Sequence, residues 1–238
     1  MQIDQARATG HPPRAIIASL LALAGLLAVQ TAAEAFAHGD PDTGQAAGSP
    51  SGMETASPDV RYMADWVART GDNAGMPYVI VDKVNATVFV MDAHGHLDGA
   101  APALLGMGEG DGSVAGIGDR RMSAIRPEER TTPAGRFIAS LGEDPHGQDI
   151  LWIDYGTSIA LHRVVKGTPA EGRAQRLQSE TPDDNRISYG CINVPVEFYE
   201  EVVHPAFATT SGVVYILPET SSVRDAYGPP VERVGAGR

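Results

Sequence analysis

A single cysteine, Cys191, stands in 238 residues. One thiol excludes an intramolecular disulfide and any zinc-finger or iron–sulfur framework. Aromatic residues are few, at 6% of the chain. Basic residues are short as well: 18 Lys and Arg against 30 Asp and Glu leave a net charge of −12. So acidic a chain lacks the basic surface that nucleic acid or an anionic membrane requires, and neither is an expected partner. The 27 glycines and 17 prolines stay below the roughly 25–30% that marks low-complexity chains, and no Gly-X-Y period runs through them. Collagen and wholesale disorder are therefore excluded. The length suits one domain with a core of its own.

Long apolar runs are missing except at the N-terminus. There Arg7, His11 and Arg14 precede an uncharged stretch over residues 15–29, and Ala35-Phe36-Ala37 gives a small-x-small site before His38. Basic start, short apolar run and A-x-A site predict a secretory signal peptide over residues 1–37. The competing reading is an uncleaved anchor, because the uncharged stretch continues to Ala33 and approaches spanning length. The expectation is an exported protein of the periplasm or cell envelope, with no stable membrane partner after cleavage. A lone thiol in an exported chain is either buried and inert or reactive.

Residues 38–58 are small, polar and rich in Pro and Gly, and read as a flexible linker. Residues 59–75 hold a predicted helix and a connector. Ser57 is placed to cap that helix, Pro58 suits its first position, and Val60, Met63 and Val67 share a face with Trp66 beside them. From Tyr78 the pattern turns to strands. Tyr78–Val84 and Thr87–Asp92, separated by Asn85-Ala86, predict a hairpin. Further strands are expected at Ala103–Met107, Arg136–Leu141, Ile150–Tyr155, Ile159–Arg163 and Val213–Leu217, and a helix at Pro195–Val203 with Glu197, Glu200 and Glu201 on its polar side. Residues 219–238 read as a tail. Many short strands with a few short helices predict a mainly β fold, a sheet or sandwich.

His94 and His96 form an H-x-H, but the intervening Gly and flanking Asp residues favour a solvated turn, and no metal site is expected. The stretch Gly106–Gly118 is glycine-rich, yet Ser113 breaks the G-x-G-x-x-G register and no G-K-[ST] follows. Calcium-loop spacing is absent too. A flexible loop is the expectation.

The chemistry concentrates in Arg186-Ile-Ser-Tyr-Gly-Cys-Ile-Asn-Val-Pro195 and in Ile159-Ala-Leu-His-Arg163. Cysteine catalysis needs a thiolate, a base to generate it, an orienter for the base and an oxyanion hole. Cys191 and His162 are the nucleophile and base candidates. Gly190 lets the backbone come close to a substrate, and its amide and that of Cys191 are candidates to face an oxyanion. Arg163 and Arg186 are candidate forks for substrate carboxylates, with a surface ion pair as the alternative for both. Tyr189 and Asn193 are candidate lining residues.

These segments resemble the signature of the YkuD-like L,D-transpeptidases, a His upstream of Ser-His-Gly-Cys-x-[Arg/Asn]. The matches are His162, Ser188, Gly190, Cys191 and Asn193. Arg130-Thr-Thr-Pro-Ala-Gly-Arg-Phe137 is similar to the family's T-P-x-G-x-F element. The likeness runs over about residues 76–218. It implies a β-sandwich-like catalytic domain that uses no cofactor and acts on peptidoglycan stem peptides. The acyl group of the third stem residue moves to the cysteine and then to an amine of another stem, giving a 3–3 cross-link. By the resemblance Cys191 is the nucleophile, His162 the base, and the orienter a backbone carbonyl near Arg163 or Ser188. Tyr189 stands where the family commonly has His, and Lys166–Asp184 is a longer and more charged loop, a lid or an insertion. The alternatives are an L,D-carboxypeptidase or wall-protein-link hydrolase on the same site, a non-catalytic wall-binding module, and a secreted cysteine peptidase.

Overall fold

The computed structural model describes residues 53–228. The expected signal peptide, most of the linker and the end of the tail lie outside them. The first helix, α1 (Pro58–Thr70), forms as the sequence predicts. Ser57 Oγ accepts the Val60 N–H at 3.2 Å, Pro58 sits in the first turn, and Gly71 closes the helix in a left-handed conformation. Its buried face is Val60, Met63, Ala64 and Val67.

Ten strands follow among the described residues: β1 (Tyr78–Asp82), β2 (Thr87–Met91), β3 (Leu97–Pro102), β4 (Leu105–Gly106), β5 (Gly135–Glu143), β6 (Asp149–Asp154), β7 (Ile159–Arg163), β8 (Arg186–Ser188), β9 (Ile192–Val194) and β10 (Gly212–Ile216). Eight of them make one mixed sheet in the order β3-β2-β1-β10-β5-β6-β7-β9, and β4 pairs with β8 in parallel. The predicted β1–β2 hairpin is present. The fold is mainly β with a few short helices. β3, of sequence LDGAAP, has none of the β-branched residues that would have revealed it. The predicted strand at Ala103–Met107 shortens to β4. The helix predicted at Pro195–Val203 runs on through Val196–Phe198, a π-turn at Tyr199–Val203, and His204–Phe207.

β5 makes the sheet sandwich-like. Its first half pairs with β10 (Ala139 opposite Gly212) and its second half with β6 (Ser140 opposite Trp152). The strand thus serves two half-sheets that bend over one core. Val79, Val81, Val88 and Val214 come from one half, and Leu151, Ile153, Leu161, Ile192 and Val194 from the other. The alternate residues of β1 and β10, Tyr78, Ile80, Val213 and Tyr215, face the opposite way and pack under α1. Strands buried on both faces read as unbroken apolar runs, which explains Tyr-Val-Ile-Val in β1.

The glycine-rich loop is held at its start. The ammonium of fully buried Lys83 donates to the carbonyls of Gly110 (2.7 Å) and Thr132 (3.0 Å) and to Asp111 (2.9 Å). Glu219 lies 3.3 Å from the same nitrogen and accepts the Gly110 N–H. Three 3-10 turns then carry the chain from Ile117 to Glu129.

Candidate active site

β7 and β9 run side by side in parallel, with Leu161 opposite Ile192 and His162 opposite Asn193. Leu161, Ile192 and Val194 are buried, so alternation turns His162 and Asn193 out of the core on a shared face. Asn193 is held from its other side by paired backbone bonds to Leu104 (2.8 and 2.9 Å). Cys191 immediately precedes β9.

The turn that delivers Cys191 is shaped by Ser188. Its hydroxyl donates to the Cys191 carbonyl at 2.6 Å and accepts the Gly190 N–H at 3.0 Å. The Gly190 amide is therefore taken, and of the two amides expected at the oxyanion only that of Cys191 stays a candidate. Gly190 itself is required by sterics. Its φ is +128°, and a Cβ there would lie 2.7 Å from both the Thr131 carbonyl oxygen and Ile159 Cδ1.

His162 Nδ1 lies 2.7 Å from the Arg163 carbonyl. A carbonyl only accepts, so Nδ1 carries the proton and Nε2 is the acceptor. Asn193 Nδ2 is 3.5 Å from that Nε2 and 3.3 Å from the Cys191 carbonyl. Arg173 Nη1 donates to Asn193 Oδ1 at 3.0 Å. The Cys191 sulfur faces the Ser158 carbonyl at 3.5 Å. Desolvation lowers the His162 pKa and, despite the Ala160 amide, raises that of Cys191. Both shifts favour the uncharged forms, a thiol and a neutral imidazole.

Two cavities meet at this pair. One, of about 300 Å³, is lined by Cys191 and His162 together with Asp144, Gln148, Trp152 and Ser158. The other, of about 230 Å³, adds Ser188, Tyr189, Asn193 and Arg173. Met122 and Val165 border both. The structure thus brings Cys191, His162, Ser188, Tyr189 and Asn193 to one place. The Tyr189 ring lies under the Arg130 guanidinium, 3.9 Å from its centre.

The two arginines expected to meet carboxylates are otherwise engaged. Arg163 contributes its carbonyl, while its guanidinium binds Glu200 at 2.6 Å and Asp149 at 3.1 Å and rests on the Tyr199 ring. The Glu200 and Asp149 bonds hold its pKa above the ordinary range. Arg186 is bound by Glu219 and by the Lys83 carbonyl and lines neither cavity. In both cases an internal acid binds the guanidinium, through Nη2 alone in Arg186. Sequence reasoning missed Arg173. It belongs to helix α2 (Arg173–Leu177), within the Lys166–Asp184 stretch whose charge was the available signal. Met122 and Asp144 left no such signal. Among the described residues no cluster of three or more metal-ligating side chains exists, and no helix is long and apolar enough to cross a membrane. His96 pairs with Asp92 at 2.9 Å in its turn.

No protein-family model and no curated protein matches the sequence. Solved structures do. An L,D-transpeptidase, LdtMt1, in complex with imipenem is 13% identical, with a TM-score of 0.34 over 59% of this chain and 58% of that one. The catalytic domain of an E. faecium L,D-transpeptidase is 17% identical, with a TM-score of 0.32 over 59% of this chain and 96% of that one. The helical cell shape determining protein Pgp2 from Campylobacter jejuni is 13% identical, with a TM-score of 0.40 over 72% of this chain and 61% of that one. The match thus spans less than two thirds of the first and third of these chains.

Proposed function

We propose that this protein is a cysteine-dependent acyltransferase, an exported L,D-transpeptidase that forms 3–3 cross-links in peptidoglycan. The observation that carries the reading is the placement of Cys191 and His162 on adjoining strands at the junction of two cavities, with His162 Nδ1 held by the Arg163 carbonyl. The Ser-x-Gly-Cys-x-Asn signature supports it. A transfer between two stem peptides needs two approaches to one sulfur, and Cys191 lines two cavities.

The steps follow from the groups present. The Cys191 sulfur attacks the carbonyl of the third stem residue, and its proton passes to His162 Nε2. The oxyanion forms in front of the Cys191 N–H. Collapse breaks the amide, and His162 returns the proton to the leaving amine of the terminal D-residue. A thioester remains. The amine of a second stem attacks it and loses its proton to His162. The sulfur departs and takes that proton back. No cofactor enters these steps.

The test compares the purified protein with Cys191→Ala on disaccharide-tetrapeptide, with products read by mass. The expected outcome is a cross-linked dimer lacking one D-residue, with the variant at background. Tripeptide without dimer would make the protein an L,D-carboxypeptidase. No product from either protein would favour a binding module and sink the proposal.

A further inference from the structure

Thr132 has no part in the steps above, yet it is fully buried directly behind the nucleophile. Its hydroxyl accepts the Gly106 N–H at 2.9 Å and donates to the Gly190 carbonyl at 2.8 Å. The amide can only donate and the carbonyl can only accept, so this hydroxyl has one orientation and both of its bonds are used. Its main chain is fixed as well. The buried Lys83 ammonium holds the Thr132 carbonyl at 3.0 Å, and Pro133 keeps the residue extended.

The consequence concerns the peptide joining Gly190 to Cys191. In a trans peptide the C=O and N–H point in opposite directions. Thr132 pulls the Gly190 carbonyl inward, toward Gly106, and thereby aims the Cys191 N–H outward. Ser188 already occupies the Gly190 N–H, so this peptide carries the amide left to face an oxyanion. From this geometry we infer that Thr132 is a positioning residue. It orients the oxyanion donor at Cys191 without touching substrate. The role rests on the acyl-transfer chemistry proposed above, and it explains why a threonine hydroxyl is buried at this point of the Thr-Thr-Pro-Ala-Gly segment.

The decisive comparison is Thr132→Val against Thr132→Ser. Valine keeps the shape and removes both bonds; serine keeps both bonds. Removing an oxyanion donor outright costs about 100–1000-fold in turnover, so misaiming one is expected to cost about 10–100-fold. Alkylation of Cys191 by iodoacetamide builds no oxyanion. Its rate is expected to stay within about twofold in either variant, while kcat for release of the terminal D-residue falls in Thr132→Val and recovers in Thr132→Ser. The amide resonance of Cys191 should shift in Thr132→Val and return in Thr132→Ser. Equal kcat in Thr132→Val and wild type would overturn the inference. So would parallel losses of turnover and alkylation, which would mean general collapse of the site. A wild type inert toward the tetrapeptide defeats the proposed reaction instead, and the Cys191 resonance still decides the role of Thr132.

Discussion

At the residue scale, burial pushes both members of the proposed pair toward their uncharged forms. Desolvation depresses the pKa of His162 and raises that of Cys191, and neither shift favours a stored thiolate–imidazolium pair. The sign follows directly. A base must be neutral to accept a proton, and a lowered pKa keeps it neutral down to more acid solution. The acid limb of turnover is expected below the ordinary histidine value of about 6.5. Thiol alkylation reports the other partner, and its midpoint should lie above the ordinary cysteine value of about 8.5. A midpoint below about 7 would instead reveal a preformed ion pair. Cys191 and His162 were legible in the sequence as candidates, because a thiol nucleophile with an imidazole base is recognisable by residue type. The commitments of Arg163 and Arg186 were not. Their carboxylate partners, Glu200, Asp149 and Glu219, lie far along the chain and come together only in the folded sheet.

At the scale of elements, the loop carrying Met122 is ordered by one carboxylate. Glu129 accepts from the Arg120 guanidinium at 3.0 and 3.1 Å and from Arg126, through its N–H at 2.9 Å and its guanidinium at 3.2 Å. The Arg120 bond, then those of Arg126, draw its pKa down to about 2. A depressed carboxylate supplies this order above its ordinary range and loses it as pH falls through the lowered value. Arg120 also grips the Ala124 carbonyl, and Arg130 that of Ile125, so Met122 is framed from both sides. Glu129→Ala is expected to raise KM for the tetrapeptide about 3–10-fold with little change in kcat. Limited trypsin digestion should cut sooner at Arg120 and Arg121. Unchanged KM and digestion would show that the loop holds its place by other means. The sequence showed this stretch as glycine-rich and irregular. It did not show the anchoring, because Lys83, Asp111, Glu129 and Glu219 carry no local pattern.

At the scale of the whole molecule, the two half-sheets share β5 and a common core, so neither half has a core to itself. Leu151 belongs to one wall of that core and is fully buried. Leu151→Ala should cost about 2–5 kcal/mol. Unfolding in urea should remain a single transition when followed both by far-ultraviolet dichroism and by Trp66 and Trp152 fluorescence. Two separated transitions would show that the halves fold independently. The mainly β character was legible from alternating and apolar runs such as Ile159–Leu161. The bend was not, because the switch of partners between Ala139 and Ser140 leaves no mark on β5 beyond its length of nine residues.

The push of burial on Cys191 toward the protonated thiol has a further consequence. Peroxides and disulfides are attacked by thiolates, and a protonated sulfur is nearly inert to both. In a chain with one cysteine, no second thiol exists to rescue a sulfenic acid as an internal disulfide. The same desolvation that favours the protonated Cys191 sulfur therefore works against its irreversible oxidation.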